Sequence, residues 1–213
     1  MRTAIVANSA SEPILLEEFK DTLRLDGAEE DASLGAYIST ARALVEEYSN
    51  LVLIDRTLNL FLDKWSLDSG GSTEPWWNGV SDGAISIFAD CPSIAKLPVR
   101  PVSQITSINM VAADGTETLW DAENYHLRPG LNSAIALRSG RRWPVPGKPV
   151  DGIKITLTAG FGAGWNDVPA SVRQALLMLA SYLYANRGDQ GPGDAVKASG
   201  AMTLLRPYRE RRL

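Results

Sequence analysis

Apolar residues recur every three or four positions in three stretches of the chain, a spacing that places them on one face of an α-helix. The clearest stretch, from Leu34 to Tyr48, predicts a helix over residues 29–50. A weaker pattern that begins at Leu15 predicts an earlier helix over residues 13–25. Both predicted helices have acidic residues near their starts, where the helix dipole favours negative charge.

The third periodic stretch predicts a helix over residues 169–187, with apolar residues around most of its circumference. Such a helix is buried on most sides, so it either forms the centre of a domain or contacts a neighbouring subunit. A glycine-rich break follows at residues 188–193, and a short helix is predicted around residues 194–204. The chain therefore has three main helices and a short C-terminal one.

Between the second and third helices, the helical period gives way to short runs in which apolar and polar residues alternate. Alternation with a period of two is typical of β-strands. Asp114-Gly115 lies between two such runs and favours a hairpin turn. The predicted strands cover residues 57–62, 84–88, 105–112, 134–137 and 153–157.

These patterns predict an α+β fold in which a β-rich segment is inserted into a helical bundle. Two helices cannot bury their apolar faces alone, so the third helix must return to pack on them. We expect a helical core from residues 1–54 and 161–205, a β-rich insertion at residues 55–160, and a basic C-terminal arm at residues 206–213.

Residues 66–83 lie inside the insertion and show neither period. Five of these residues are glycine or proline, so we predict a loop that is mobile in the isolated subunit. The loop carries Trp76 and Trp77. Adjacent exposed tryptophans are uncommon away from interfaces, so the pair either contacts a partner or folds back onto the sheet.

Composition narrows the class of protein. Of 213 residues, 45% are hydrophobic and 22% are charged, which is typical of a globular chain. No apolar run approaches the roughly 18 residues of a membrane span, and the N-terminus does not resemble a signal peptide. A single cysteine excludes an internal disulfide, so we expect synthesis in a reducing cytoplasm.

The formal net charge of −4 argues against tight general binding of DNA phosphates. Yet residues 206–213 hold four arginines and one glutamate, so the rest of the chain is more acidic than the total suggests. Acidic pairs such as Glu46-Glu47 fall on the polar faces of the predicted helices. We expect solvated surface there, although a ring interface could also use them.

We predict no catalytic residue, cofactor or metal. The only histidine, His126, lies in a probable strand, and the only cysteine, Cys91, precedes a proline in apolar surroundings. A zinc-type site needs three or four ligands. The glycine-rich segment 160–164 has Trp165 where a dinucleotide-binding fingerprint requires its third glycine. A turn from sheet to helix is the better interpretation of that segment.

Short motifs occur in a fixed order along nearly the whole chain. They include Glu12-Pro13-Ile14-Leu15-Leu16, Tyr37-Ile38, Ala41-Arg42, Leu97-Pro98, Trp143-Pro144, Thr158-Ala159-Gly160-Phe161-Gly162 and Leu204-Leu205-Arg206-Pro207-Tyr208-Arg209. In order and spacing the chain resembles the head–tail connector (adaptor) proteins of long-tailed phages, including those of phage-derived gene transfer agents.

The resemblance implies a structural protein of the virion or particle neck, made in the bacterial host cytoplasm. It implies a homo-oligomeric ring, commonly a dodecamer, that docks beneath the portal protein and offers a platform for a stopper, neck or tail protein. DNA would pass through the lumen without specific binding, and no membrane would be involved. The rival hypothesis is a β-rich carbohydrate- or peptide-binding module on a helical mount, with Trp76 and Trp77 as its platform. An enzyme ranks third.

The resemblance also implies that the C-terminal segment docks on the portal. Its expected contacts are Leu204, Leu205, Arg206, Pro207, Tyr208, Arg209, Arg211 and Arg212. Arginines can make forked hydrogen bonds to carboxylates on a partner, and Pro207 should keep the arm extended. We expect removal of residues 204–213 to leave the fold intact and to abolish attachment.

Overall fold

All three main helices predicted from the sequence are present. The computed structural model describes residues 2–6, 11–65, 93–186 and 192–209. The helices are α1 (Leu16–Leu23), α2 (Asp31–Ser49) and α3 (Ala170–Asn186), followed by α4 (Pro192–Ala198) and α5 (Ala201–Leu205). The short helix predicted near the C-terminus is thus two short helices, separated at Gly200, which has a positive φ of 79°. A 3-10 turn, Arg206–Tyr208, follows α5.

The chain divides into two compact units, each of which is described by itself. The helical unit comprises Ile5–Leu58, Val99–Ser103 and Thr158–Leu213, and the β unit comprises Met1–Ala4, Asn59–Pro98 and Gln104–Leu157. In the helical unit, α3 packs against α1, α2, α4 and α5. Many of its apolar residues are therefore covered within the chain, and α3 forms the centre of the helical unit. The buried ones are Val172, Ala175, Leu176, Leu177, Leu179 and Ala180.

The eight described strands form two sheets. The strands are β1 (Arg2–Ile5), β2 (Arg56–Leu62), β3 (Ile94–Lys96), β4 (Val102–Val111), β5 (Glu117–Leu119), β6 (Tyr125–Arg128), β7 (Ala134–Leu137) and β8 (Ile153–Ala159). One sheet has the order β1-β2-β8-β4-β5, and the other has the order β3-β7-β6. Along the central strand β8, buried and half-buried residues alternate, which is the pattern of period two that the sequence showed.

The predicted hairpin at Asp114-Gly115 is confirmed. Strands β4 and β5 pair in antiparallel register, with Val111 opposite Glu117. Gly115 has a φ of 88°, a left-handed conformation that glycine adopts without strain. The Asp114 carboxylate accepts a hydrogen bond from the Thr116 amide at 2.9 Å, which closes the turn. Edge strand β5 is exposed along its whole length.

Strands β1 and β3 were not among the predicted strands. The four residues of β1 show no alternation of their own, and its partner β2 lies more than 50 residues later, while β3 is only three residues long. The predicted strand at residues 84–88 and the predicted mobile loop at residues 66–83 lie outside the described residues. Those two expectations stay predictions.

Candidate functional site

The C-terminal segment begins inside the helical core. Leu205 is fully buried, and Leu204 is partly buried and packs against the same core cluster. Ala201 and Leu205 are four residues apart, so both face the core from one side of α5. Leu205 was expected to contact the portal. This expectation is corrected, because the Leu205 side chain is buried against other residues of the same chain.

Residues 206–209 fold back on the helical unit and do not form the extended arm that Pro207 was expected to impose. The Tyr208 carbonyl accepts a hydrogen bond from Arg100 Nη2 at 2.6 Å. The Tyr208 hydroxyl lies 2.9 Å from Ser171 Oγ at the start of α3. Pro207 fits the 3-10 turn because its fixed φ suits the first positions of a helix.

Arg209 continues this docking. Its guanidinium lies 5.1 Å from the centre of the Tyr48 ring, within the range of a cation–π contact. Arg206, Pro207 and Arg209 are nevertheless exposed, while Tyr208 is half-buried. The segment therefore presents two guanidinium groups on a fixed backbone. Arg211 and Arg212 lie outside the described residues.

Arg100 joins this segment to the end of α2. Only 8% of the side chain is exposed, and its Nη2 also donates to the Ser49 carbonyl at 3.0 Å. Ser49 is the last residue of α2, where unpaired carbonyls carry partial negative charge. The guanidinium thus satisfies the carboxyl-terminal end of a helix and holds the Tyr208 carbonyl beside it.

The glycine-rich segment 160–164 is a packed turn between sheet and helix. Its Gly160 amide donates to the Pro101 carbonyl, and its Phe161 amide donates to the Leu53 carbonyl. The Asp167 carboxylate accepts from the Gly164 amide at 2.9 Å. Because these amides are paired within the protein, they do not form a phosphate cradle, which agrees with the interpretation of a turn.

Asp55 faces the same turn. Its amide donates to the Gly162 carbonyl at 2.9 Å, and its Oδ1 is shielded from solvent with no hydrogen-bond partner among the described residues. Burial raises the pKa of the Asp55 carboxyl above its ordinary value of 3.8, and the nearby charge of Asp167 raises the pKa further. Ionised Asp55 is therefore an unfavourable charge in the folded state.

The substitution Asp55→Asn should make the folding stability less dependent on pH. Because the pKa of Asp55 is higher in the folded chain, the stability it contributes is present below its unfolded pKa and is lost as the pH rises through its folded value. The free energy of unfolding of the variant, relative to that of the wild type, should therefore be higher at pH 7 than at pH 4. Urea unfolding at the two pH values measures this difference. Asp26→Asn, at an exposed position, is the control. An equal difference at both pH values would contradict the prediction.

Glu46 is not part of a solvated acidic face as the sequence suggested. Its Oε2 lies 2.9 Å from Arg56 Nη2, and its Oε1 accepts from the Leu53 amide at 3.0 Å. Both ionic side chains are mostly buried. Glu46 is therefore tied to the chain that follows α2, and the pattern of charges along one helix did not indicate that distant arginine.

Four aromatic rings cluster in the β unit. Trp65 and Trp143 have ring centres 4.6 Å apart, and Trp120 lies 5.5 Å from Trp65 and stacks at 5.0 Å on Tyr125. The Trp65 indole donates to the Pro144 carbonyl at 3.0 Å. The rings pack on one another, so the cluster is a small core of that unit. Sequence spacing did not indicate it, since the four residues come from separate segments.

The remaining candidate residues lie apart. His126 is exposed on β6, opposite Ala136 of β7. Trp76, Trp77 and Cys91 lie outside the described residues. Within the described ranges, no group of three or more metal-ligating side chains comes together. No described helix is long and apolar enough to span a membrane.

Comparison with known proteins shows which kind of protein this chain resembles. Residues 13–75 match a family model described as phage gp6-like head-tail connector protein. The chain resembles head–tail connectors. The likeness indicated by the sequence motifs is thereby confirmed. No curated protein matches the chain.

Solved structures extend the likeness to the full length. A chain from the neck of an empty gene transfer agent particle, computed with C6 symmetry, is 27% identical with a TM-score of 0.75. A chain from the virion of the native particle is 28% identical with a TM-score of 0.75. A chain from the native neck, computed with C12 symmetry, is 27% identical with a TM-score of 0.72. Each match covers 100% of this chain and 97% of the other.

Proposed function

We propose that this protein is a structural connector subunit in the neck of a tailed-phage-like particle, and that it is not an enzyme. The observation that carries the proposal is the full-length likeness to chains from gene transfer agent necks, with 100% of this chain covered. The match of residues 13–75 to a connector family model supports the same role independently of the fold.

The subunit assembles into a ring. The similar neck chains come from particles computed with C6 and C12 symmetry, which supports a homo-oligomeric ring and suggests a dodecamer. A cyclic ring needs two different complementary faces on each subunit. The ring sits beneath the portal protein, extends the DNA channel, and provides a platform for a stopper, neck or tail protein. The protein is made in the cytoplasm of the bacterial host.

The C-terminal segment is the portal contact. Leu205 belongs to the core, so the docking surface is limited to residues 206–213. Arg206 and Arg209 are exposed on a backbone that is fixed to the helical unit. Guanidinium groups pair with carboxylates through two parallel hydrogen bonds, so an acidic portal surface is the expected partner.

DNA passes through the ring without being held specifically. The formal net charge is −4, and acidic residues outnumber basic ones among the described residues of the helical unit. A surface of that charge avoids adhesive phosphate contacts. Trp76 and Trp77 remain a proposed contact with a neighbouring subunit or neck protein.

Electron microscopy of the purified protein, alone and mixed with portal protein, tests the proposal. Rings that stack on portal particles are expected. The double variant Arg206→Ala, Arg209→Ala should still form rings but attach to portal at least tenfold more weakly, since two charge-assisted contacts are lost. Lys197→Ala removes another exposed cation and should attach normally. Monomers that bind glycans would contradict the connector role and favour the rival binding module.

A further inference from the structure

Arg100 is a buried cation that forms no salt bridge with a carboxylate among the described residues. Its side chain is 8% exposed, and its hydrogen bonds go to two backbone carbonyls, of Ser49 and Tyr208. Its Nε is shielded from solvent and makes no hydrogen bond in the described part of the chain. Burying a charge with incomplete partners is unfavourable, and an apolar side chain of similar size often stabilises a core as well or better. In the described part of the chain, the hydrogen bonds of this buried charge therefore go only to the end of α2 and to the C-terminal segment.

The position of the two carbonyls indicates what the arginine does. Ser49 closes α2, and its carbonyl belongs to a rigid helix of 19 residues. Tyr208 closes the last 3-10 turn, next to Arg209. One nitrogen, Nη2, donates to both carbonyls, at 3.0 and 2.6 Å. The backbone beside Arg209 is thus held at a fixed place relative to α2.

Two side-chain contacts hold the same segment in a different way. The Tyr208 hydroxyl contacts Ser171, and the Arg209 guanidinium lies over Tyr48. Both contacts involve side chains of the segment, whereas Arg100 donates to its backbone at the Tyr208 carbonyl. The Arg100 backbone is fixed in turn, because its carbonyl accepts from the Val52 amide at 2.8 Å.

We propose that Arg100 is a positioning residue for portal attachment: it fixes the backbone of Tyr208 so that Arg206 and Arg209 are presented in one arrangement. The inference rests on the proposed docking of residues 206–213 on the portal. Two arginines on a backbone that is already ordered lose less backbone conformational freedom when they pair with a partner. Arg100 does not touch the portal in this proposal and acts only through the segment.

The first part of the test uses the full-length protein without portal. In Arg100→Met, the amides of Arg206, Tyr208 and Arg209 should exchange hydrogen at least tenfold faster, because their anchor is gone. Amides in the middle of α2 and α3 should exchange as in the wild type. Unchanged exchange at residues 206–209 would overturn the inference, whatever the portal does. Arg100→Lys keeps the charge and one donor group, so exchange at residues 206–209 should increase less than in Arg100→Met. The lysine variant replaces the methionine variant in this test if the latter does not fold.

The second part measures binding to purified portal protein. Arg100→Met should weaken binding about tenfold, the scale expected when a docking segment loses its pre-organisation. In the background of Arg206→Ala and Arg209→Ala, the same substitution should have no further effect, because Arg100 acts through those two residues. If Arg100→Met weakens portal binding equally in the wild-type and double-variant backgrounds, Arg100 has a general structural role and the inference is overturned.

The outcomes separate this inference from the function on which it rests. Faster exchange together with unchanged or tighter portal binding would show that a fixed segment is not needed, and would overturn the inference while portal attachment stands. If Arg206→Ala with Arg209→Ala leaves portal binding unchanged, the proposed docking surface itself is wrong. Weaker binding in Arg100→Met that vanishes in the double-variant background supports both.

Discussion

Replacing Leu205 with alanine should lower the free energy of unfolding by about 2–5 kcal/mol, the usual cost of deleting most of a buried leucine side chain. Leu205 is fully buried against the helical core, although it lies only eight residues from the C-terminus. Urea unfolding followed by circular dichroism measures the change. Met202→Ala is the matched control, since Met202 lies on the same short helix and is 39% exposed. The control should lower the free energy of unfolding by a clearly smaller amount.

The same packing changes the expected result of truncation. Removal of residues 204–213 was expected to leave the fold intact, but it would take away Leu205 and the Tyr208 carbonyl that Arg100 holds. That truncation should destabilise the helical unit, and the buried guanidinium of Arg100 would lose an acceptor. Removal of residues 210–213 alone keeps Leu205 and Tyr208 in place and should cost less stability. Equal stability of the two truncated proteins would contradict this assignment of Leu205 to the core.

Local periodicity explains why the helices could be predicted. In α2, burial of Leu34, Ile38, Ala41 and Val45 follows the spacing of three and four residues that was visible in the sequence. The ends were harder to place, because α1 ends at Leu23 and Arg24 takes a left-handed conformation with a φ of 57°. The sequence had indicated the stop at the following Asp-Gly pair.

The C-terminal segment shows why the site was predicted only in part. Its arginines suggested a docking surface, but the contacts that fix it involve Arg100 and Ser171, which are 108 and 37 residues away from Tyr208 in the chain. A local pattern of charge and proline carries no information about such partners. The sequence therefore predicted an extended arm, whereas the first residues of the segment, Leu204 and Leu205, pack in the helical core.

Replacing Gly160 with alanine should be among the most destabilising single changes in the chain. The added Cβ would lie 2.4 Å from the Asp55 amide nitrogen and 2.5 Å from the Asp55 Cα, which are backbone atoms that cannot rotate away. Gly160 also has a φ of 148°, where side chains are strained. To relieve the overlap, the chain must separate at the hydrogen bond between the Asp55 amide and the Gly162 carbonyl. We expect a loss of about 3 kcal/mol or more.

Two control substitutions separate the causes of that loss. Gly164→Ala places a Cβ 3.6 Å from the Asp167 carboxylate, an ordinary contact, and its φ of −114° suits any residue. It should change stability by less than about 1 kcal/mol. Gly115→Ala has a positive φ of 88° but meets nothing within 4 Å, so it reports the backbone strain alone, about 1 kcal/mol. In urea unfolding, Gly160→Ala should therefore have by far the lowest free energy of unfolding of the three variants. If Gly160→Ala loses no more free energy of unfolding than Gly115→Ala does, the close approach of residues 55 and 160 is not a constraint on the fold.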